Sequence, residues 1–414
     1  MKINDFAKNL FLLSKLCVLG LLTGILGGLV GAAFSIFLSF VTNVRESFPW
    51  LILFLPLGGV VTVLLYRAFG MENHRGVNEI IPQLKSEGEI RAIAAPLIFI
   101  STAITHFLGG SLGKEGAALQ LGGAGSSAIS DVLKLKGVCR TVFIMSGMSA
   151  VFAGVFGTPL TATFFVLEFK SNKKVLSLAL LPCLISSVIA KESASLLGVA
   201  EETFHLNYTM SFSLFSLGKV LTLAIGIAIL GMAMCFTFAK AHEWAKKFIS
   251  NALIRTLIFS LLVIALTVCV GDMRYNGSGM NMAINAFHGN CDWFDFILKM
   301  LFTAVTIAAG LKGGEIVPTF CIGATFGCFL GGILGLDVGL AAALGLVGLF
   351  CLATNSLVSA IFLGIEIFGF SIVPYIIIIC VILWLLSTPK GLFENRFFIS
   401  PFFYKKRLKI IRSK

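Results

Sequence analysis

The feature that most limits the possible folds is the segment 105–123, T-H-F-L-G-G-S-L-G-K-E-G-A-A-L-Q-L-G-G, which interrupts apolar sequence with six glycines, a lysine and the carboxylate of Glu115. Broken backbone and charged side chains at membrane depth are tolerated only where protein or a water-filled route surrounds them. A helix that resumes after Gly116 points its free N–H groups and the positive end of its dipole into the break. The segment therefore predicts an anion site made from backbone, with Glu115 where a free anion would bind.

Apolar runs long enough to cross a lipid bilayer lie on both sides of this segment. Of the 414 residues, 57% are hydrophobic and 13% are charged, and several runs reach the roughly 20 residues that a spanning helix needs. The formal net charge of +12 comes from basic clusters between and beyond these runs, as in cytoplasmic loops. We expect an all-α polytopic membrane protein that binds no nucleic acid, with both termini cytoplasmic and the segments 199–212 and 271–295 outside.

A duplication relates the two halves of the chain. The stretch G-K-E-G-A-A-L-Q-L-G-G-A aligns with G-G-E-I-V-P-T-F-C-I-G-A in the second half, so that Glu115 pairs with Glu315. A second match, ending in Glu168 and Glu366, has nearly the same offset. Broken helices at corresponding positions of two halves predict inverted repeats with a substrate site between them. We expect an N-terminal cytoplasmic amphipathic lead at 1–15, a first membrane repeat at 16–205, a second, inverted repeat at 206–396 and a basic cytoplasmic tail at 397–414.

These motifs resemble the anion-site signatures of the CLC family of chloride channels and proton-coupled anion exchangers. The resemblance is carried by G-K-E-G at 113–116, by G-G-E-I-V-P at 313–318 and by F-G-T-P-L-T-A-T-F-F-V-L-E at 156–168. It implies a homodimer of subunits that each have their own pore. In each pore, the residue matching Glu115 gates the path and carries the proton.

Within the family, the sequence is most similar to the bacterial branch that exports fluoride. That branch has a glutamate at the position of Glu315 and lacks a second glutamate directly after Glu168, where Phe169 stands here. The resemblance therefore implies a fluoride/proton antiporter in the bacterial inner membrane, with fluoride and protons as its substrates and chloride as the alternative anion. A chloride/proton exchanger and a passive anion channel of the same fold remain alternatives. An intramembrane enzyme is not expected, because the sequence has neither H-E-x-x-H nor a G-x-S-x-G serine with triad partners.

Three positions depart from the family pattern. Chloride-type members place a serine in the intracellular half of the pore, and the corresponding stretch H-R-G-V-N-E puts Arg75 there. The tyrosine that closes the chloride site corresponds to Phe393, and a threonine common in the fluoride branch corresponds to Val317. The latter two side chains lack hydroxyls that could hydrogen-bond a moving Glu115, which leaves the details of gating and proton coupling open.

The two glutamates have a functional and a structural interpretation each. We expect Glu115 to gate and to carry protons, since a plain helix cap would be served by serine or threonine without burying a charge. Glu315 is either a second proton-accepting group and tuner of selectivity or a buried carboxylate that accepts backbone N–H bonds. A neutral Glu315 would favour fluoride, because this small anion is a strong hydrogen-bond acceptor.

The remaining candidates surround the two predicted helix starts. Lys114 and Lys312 either raise the local anion concentration or extend to an interface, and Arg75 either attracts anions or is an ordinary cytoplasmic cation. His106 is expected to be a packing residue in preference to a proton relay. The candidate anion-binding positions are Gly113, Lys114, Gly116, Ser111, Ile316, Val317, Arg75 and Phe393.

Cysteines and metals contribute little to the prediction. The ten cysteines lie mainly in apolar segments without paired or metal-ligand spacing, so we expect them to be reduced and to act as small buried hydrophobic residues. No cofactor or catalytic metal is expected. The resemblance to the fluoride branch suggests one exception, a structural monovalent cation held by backbone carbonyls of the segment 272–279.

Overall fold

The computed structural model describes residues 3–74, 76–86, 90–169, 173–200, 203–204, 206, 213–388 and 391–393. Sixteen α-helices and one short 3-10 helix make up the secondary structure of these ranges, which contain no β-strand. Within them, seven stretches are long and apolar enough to cross a bilayer, and four shorter apolar helices of 10–17 residues accompany them. The prediction of an all-α polytopic membrane protein is confirmed.

Both halves contain the same order of helices, as the duplicated motifs predict. Each half begins with a long helix, and each places its break between its fourth and fifth helices. The first half contains α1 (Ile3–Ser47), the 3-10 helix (Pro49–Phe54), α2 (Leu55–Ala68), α3 (Val77–Ser86), α4 (Ala94–Phe107), α5 (Glu115–Val132), α6 (Gly137–Phe156), α7 (Pro159–Leu167) and α8 (Lys173–Leu196). The second half contains α9 (Leu214–Phe248), α10 (Ala252–Val270), α11 (Met280–Phe287), α12 (Asp295–Ala309), α13 (Ile316–Leu334), α14 (Val338–Thr354), α15 (Leu357–Phe368) and α16 (Val373–Leu386).

Glycine pairs bring the helix after each break into close contact with the next helix. A Cβ atom on Gly122 of α5 would collide with the backbone of Gly147 on α6. The equivalent contact in the second half joins Gly323 of α13 to Gly345 of α14. Small residues allow this approach in a membrane, where packing rather than water exclusion drives helix association. Each broken helix is therefore packed closely against the helix that follows it.

The short helices α7 and α15 cap one another. The carboxylate of Glu168, at the end of α7, accepts hydrogen bonds from Val358 N (3.0 Å) and Ser359 Oγ (2.6 Å) at the start of α15. In return, the carboxylate of Glu366 on α15 accepts from the backbone N–H (2.8 Å) and the hydroxyl (2.6 Å) of Thr161 on α7. Each carboxylate satisfies helix N–H groups that would otherwise lack partners. The exchange pairs corresponding elements of the two halves in an antiparallel manner.

The prediction that all cysteines are reduced is wrong at one pair. Cys291, in the turn before α12, forms a disulfide with Cys328 of α13. Their spacing of 37 residues matches no short motif, so the pairing depends on how α11 to α13 pack and is not visible in the sequence. The other eight cysteines form no disulfide, and five of them are buried.

Candidate functional site: the paired helix breaks

The two helix breaks meet through their backbones. Gly113 N donates to Gly314 O (2.7 Å), and Gly314 N donates to Gly113 O (2.6 Å), which makes a single antiparallel bridge directly before α5 and α13. A Cβ on Gly314 would lie 2.6 Å from Gly116 N, a distance that real Cβ atoms do not adopt. Only glycine therefore permits this approach, and the two helix N-termini face the same point.

Glu115 lies at this junction. It is the first residue of α5 and is completely buried. Its Oε2 atom accepts a hydrogen bond from Val317 N (3.3 Å), in the first turn of α13. The carboxylate of the first half thus occupies the N-terminus of the broken helix of the second half. Two helix N-termini supply N–H donors and positive dipole ends here, which is the environment that an anion prefers.

Glu315 occupies a different position from its sequence partner. It is the N-cap of α13 and is only partly buried. Its backbone carbonyl accepts from Thr319 N (3.1 Å) and Thr319 Oγ1 (2.8 Å), while its carboxylate lies within electrostatic reach of Cys235 on α9. The following residues, Ile316 and Val317, are buried. Glu315 therefore borders the junction from the second half.

The two lysines beside the breaks are both bound to helices of the first half. Lys114 Nζ donates to Ser35 Oγ of α1 (3.1 Å). Lys312 Nζ lies 4.6 Å from the centre of the Tyr66 ring, at the end of α2, in a cation–π contact. Both ammonium groups lie within a few residues of the junction along the chain, where they add positive potential.

Ser111 is joined to α12. Its buried hydroxyl shares a hydrogen bond with Thr303 Oγ1 (3.1 Å), and its backbone N–H donates to Thr306 Oγ1 (3.1 Å). The hydroxyl also accepts from Lys299 Nζ (3.0 Å). These bonds hold the first break in place from outside its own half.

Lys299 is the site residue that the sequence prediction missed. This lysine of α12 has no exposed surface, and besides Ser111 its ammonium donates to the carbonyls of Tyr275 (3.0 Å) and Gly277 (2.8 Å). The signal was a single lysine within the apolar run F-I-L-K-M-L-F, since an ionisable residue inside such a helix usually marks a functional place. These two carbonyls belong to the segment that we predicted to hold a monovalent cation. Both carbonyls accept from the ammonium of Lys299, so these two oxygens of the segment already have a cationic partner.

The stretch 74–79 and Phe393, which the sequence analysis compares with chloride-site positions of the family, lie in different surroundings. The carbonyl of Gly116 accepts from Gln120 Nε2 (3.0 Å), and a Cβ on Gly76 would lie 3.3 Å from the same nitrogen. The predicted stretch 74–79 therefore does contact α5, although Arg75 itself lies outside the described residues. Phe393 is buried, with its ring 5.9 Å from those of Phe165 and Phe169. It packs among aromatic rings at the end of α7.

A known family model matches most of this chain. Residues 58–387 match the model described as voltage gated chloride channel. This chain, with its duplicated broken helices and its carboxylate at their junction, therefore belongs to the voltage-gated chloride channel family.

Relatives and solved structures support the same family. The chain is 31% identical over 389 residues to a chloride/fluoride channel protein of Pseudomonas syringae pv. tomato, a match that covers 92% of this chain and 86% of the relative. It is 25% identical over 385 residues to a H(+)/Cl(-) exchange transporter of Vibrio campbellii, covering 83% and 80% of the two chains. A crystal structure of a CLC-type fluoride/proton antiporter superposes with a TM-score of 0.87 at 32% identity, covering 93% of this chain and 98% of that one.

Proposed function

We propose that this protein is a fluoride/proton antiporter that exports fluoride across the bacterial inner membrane by using the inward proton gradient. The observation that carries the proposal is the buried Glu115 carboxylate on the Val317 N–H, at the meeting point of two helix N-termini. A free anion of similar charge competes for these same donors. The similarity to a protein named chloride/fluoride channel and to a solved fluoride/proton antiporter supports fluoride as the anion.

Exchange follows because the Glu115 carboxylate and the anion cannot occupy the same helix N-termini at once. While Glu115 is ionised, it occupies the helix N-termini and blocks the path. When it takes up a proton, it loses the charge that holds it there, so it can move aside and an anion can bind to the backbone donors. Return of the carboxylate then requires loss of its proton and departure of the anion. This alternation couples the two opposite flows.

Fluoride suits a site of this construction. Dry backbone N–H groups are strong donors, and fluoride is a small and strong hydrogen-bond acceptor whose dehydration must be offset by such donors. Glu315 borders the same junction and, in its neutral form, supplies one more donor. We propose that Glu315 tunes the selectivity of the site for fluoride, and that two subunits form a homodimer with one path each and with both termini in the cytoplasm.

Chloride/proton exchange or passive anion conduction is the second candidate. It is favoured by the similarity to the Vibrio campbellii chloride exchanger and by the apolar side chains of Val317 and Phe393, which offer Glu115 no hydroxyl. Fluoride and chloride efflux from loaded proteoliposomes, with and without a protonophore, separates these functions. Antiport predicts fluoride efflux that moves protons inward, whereas a channel predicts flux that follows the membrane potential alone.

Replacing Glu115 tests the mechanism directly. In Glu115→Gln, we expect proton movement coupled to fluoride to fall by at least about 100-fold, the usual scale for removing a proton-transferring group. Passive fluoride flux should persist, because the neutral amide cannot hold the site as a charge does. The matched control is Glu192→Gln, an exposed glutamate of α8, which should leave coupling unchanged. Unaltered proton coupling in Glu115→Gln would contradict the proposal.

A further inference from the structure

The cytoplasmic side of the junction needs a group that accepts protons, since on the proposed function each proton carried by Glu115 ends in the cytoplasm. The end of α7 does not supply this group. Glu168 is bound to the start of α15 there, and Phe169 lies among aromatic rings. The start of α3 is better placed, because Val77 Cγ2 is 4.0 Å from the position of a Cβ on Gly116. The first turns of α3 and α5 are therefore in contact.

A cavity of about 370 Å³ lies beside the start of α3. It is lined by the turn after α2 and by α3, and its side chains include Glu72, His74, Glu79 and Arg91. Glu72 and Asn73 of this turn are exposed, so the cavity reaches the surface. The expected topology places the turn in the cytoplasm, because α1 leads outward and α2 leads back. Cytoplasmic water can therefore reach the carboxylate of Glu79, whose side chain is 36% accessible.

His74 holds one proton on the nitrogen that faces Glu79. Its Nδ1 atom accepts a hydrogen bond from Gly76 N (3.1 Å), so the proton of the neutral ring is on Nε2. Nε2 lies 3.8 Å from Oε2 of Glu79, and the ring of Tyr66 packs against the imidazole with 6.2 Å between the ring centres. Burial lowers the pKa of His74, and the charge of Lys312 adds to this effect while that of Glu79 opposes it. The ring is therefore a neutral donor, and the carboxylate is the partner that can take up a further proton.

Of the two carboxylates that line the cavity, Glu79 is the one that faces the junction. Glu72 is paired at the surface with Arg67 (3.0 Å). Arg91 donates to two backbone carbonyls of the turn after α2 (2.9 Å each). Lys312, two residues before the backbone bridge of the second break, lies within electrostatic reach of Glu79. Glu79 thus lies between the cavity and the second break.

We propose that Glu79 receives the proton from Glu115 and releases it into the cytoplasm, and that His74 positions the Glu79 carboxylate. The inference rests on the proposed function. The proton leaves the carboxyl group of Glu115, crosses to Glu79 through water molecules that enter from the cavity, and is then released to bulk water. At each step one O–H bond breaks and one forms. Fluoride and protons therefore use separate routes on the cytoplasmic side of Glu115.

Replacing Glu79 provides the test. In Glu79→Gln, we expect the rate of proton movement coupled to fluoride in proteoliposomes to fall by at least about 100-fold. Glu79→Asp keeps a carboxyl group that is one methylene shorter, and it should stay within about tenfold of the unaltered protein. The matched control is Glu72→Gln, which removes the other carboxylate of the cavity, with 53% of its side chain accessible, and should change the rate less than about twofold. Equal rates in Glu79→Gln and Glu72→Gln overturn the proposal.

The role of His74 has its own readout in the pH profile. His74→Ala removes an N–H donor that favours the charged carboxylate, so the pH at which the coupled rate is half-maximal should move upward. A purely structural role of His74 would lower the rate without moving this pH. An unchanged pH therefore overturns the positioning role.

Fluoride binding to the purified variants, measured by isothermal titration calorimetry, shows whether they are folded. We expect Glu79→Gln to bind fluoride as the unaltered protein does. Loss of binding together with coupling would assign Glu79 to the fold and overturn the proton route. If the unaltered protein moves fluoride without protons, the proposed function fails and this inference fails with it. If the unaltered protein and Glu79→Gln are both coupled, the inference alone is rejected.

Discussion

The two helix breaks share a sequence pattern but differ in what their glutamates do. Glu115 reaches across the junction and binds the first turn of α13, whereas Glu315 stays on its own side and caps α13 through its backbone carbonyl. The first break is fastened from outside by Lys299 through Ser111. In the second half, the disulfide between Cys291 and Cys328 joins the turn before α12 to α13. The two halves therefore bring two helix starts to one junction, and only Glu115 lies where, on the proposed function, a carboxylate competes with the anion.

Transport should be most sensitive to substitutions at the bridge between Gly113 and Gly314, where the two breaks meet. In Gly314→Ala, the new methyl group would push against Gly116 N, so we expect the two helix starts to separate and fluoride transport to fall by about 100-fold, as for a misplacement of about 1 Å. Gly125→Ala is the control on the same helix α5, because a Cβ there meets no atom within 4 Å. Fluoride efflux from proteoliposomes measures both. Normal efflux in Gly314→Ala would show that the bridge is dispensable.

The difference between the glutamates should appear in selectivity. We expect Glu315→Gln to retain proton-coupled fluoride efflux but to reduce the preference for fluoride over chloride by about tenfold, since one hydrogen-bonding group at the edge of the site has changed. Parallel efflux measurements with the two halides give this ratio. If Glu315→Gln abolishes coupling as completely as Glu115→Gln does, the asymmetry between the two breaks is wrong and both carboxylates carry the same proton.

Replacing the lysines beside the two breaks should have the smallest effect on transport. Lys114→Met removes the hydrogen bond to Ser35 and one partly exposed charge, so we expect about a threefold lower efflux rate that is less sensitive to salt. Lys312→Met, which loses the contact with Tyr66, should have an effect of similar size. Initial rates at low and high ionic strength measure both. A loss tenfold or larger in only one variant would reveal a lysine inside the path.

The sequence predicted the helix pattern and the meeting of the breaks because both depend on local signals. Glycine runs and apolar periods determine where helices start, and the repeat implies that corresponding starts face one another. The contacts of Lys299 depend instead on how α12 packs against the segment 271–279. The same holds for the pairing of Cys291 with Cys328. The sequence likewise did not predict that a lysine from another helix binds two carbonyls of the segment in which we expect a cation.

The mutual capping of α7 and α15 joins the two halves of the chain. Thr161 and Ser359 each bind a carboxylate from the opposite half. The bridge between Gly113 and Gly314 likewise takes one hydrogen-bond donor and one acceptor from each half. A single half would leave these groups without their partners unless a second copy lay beside it in inverted orientation. The two halves therefore depend on each other for hydrogen bonds that neither half makes alone.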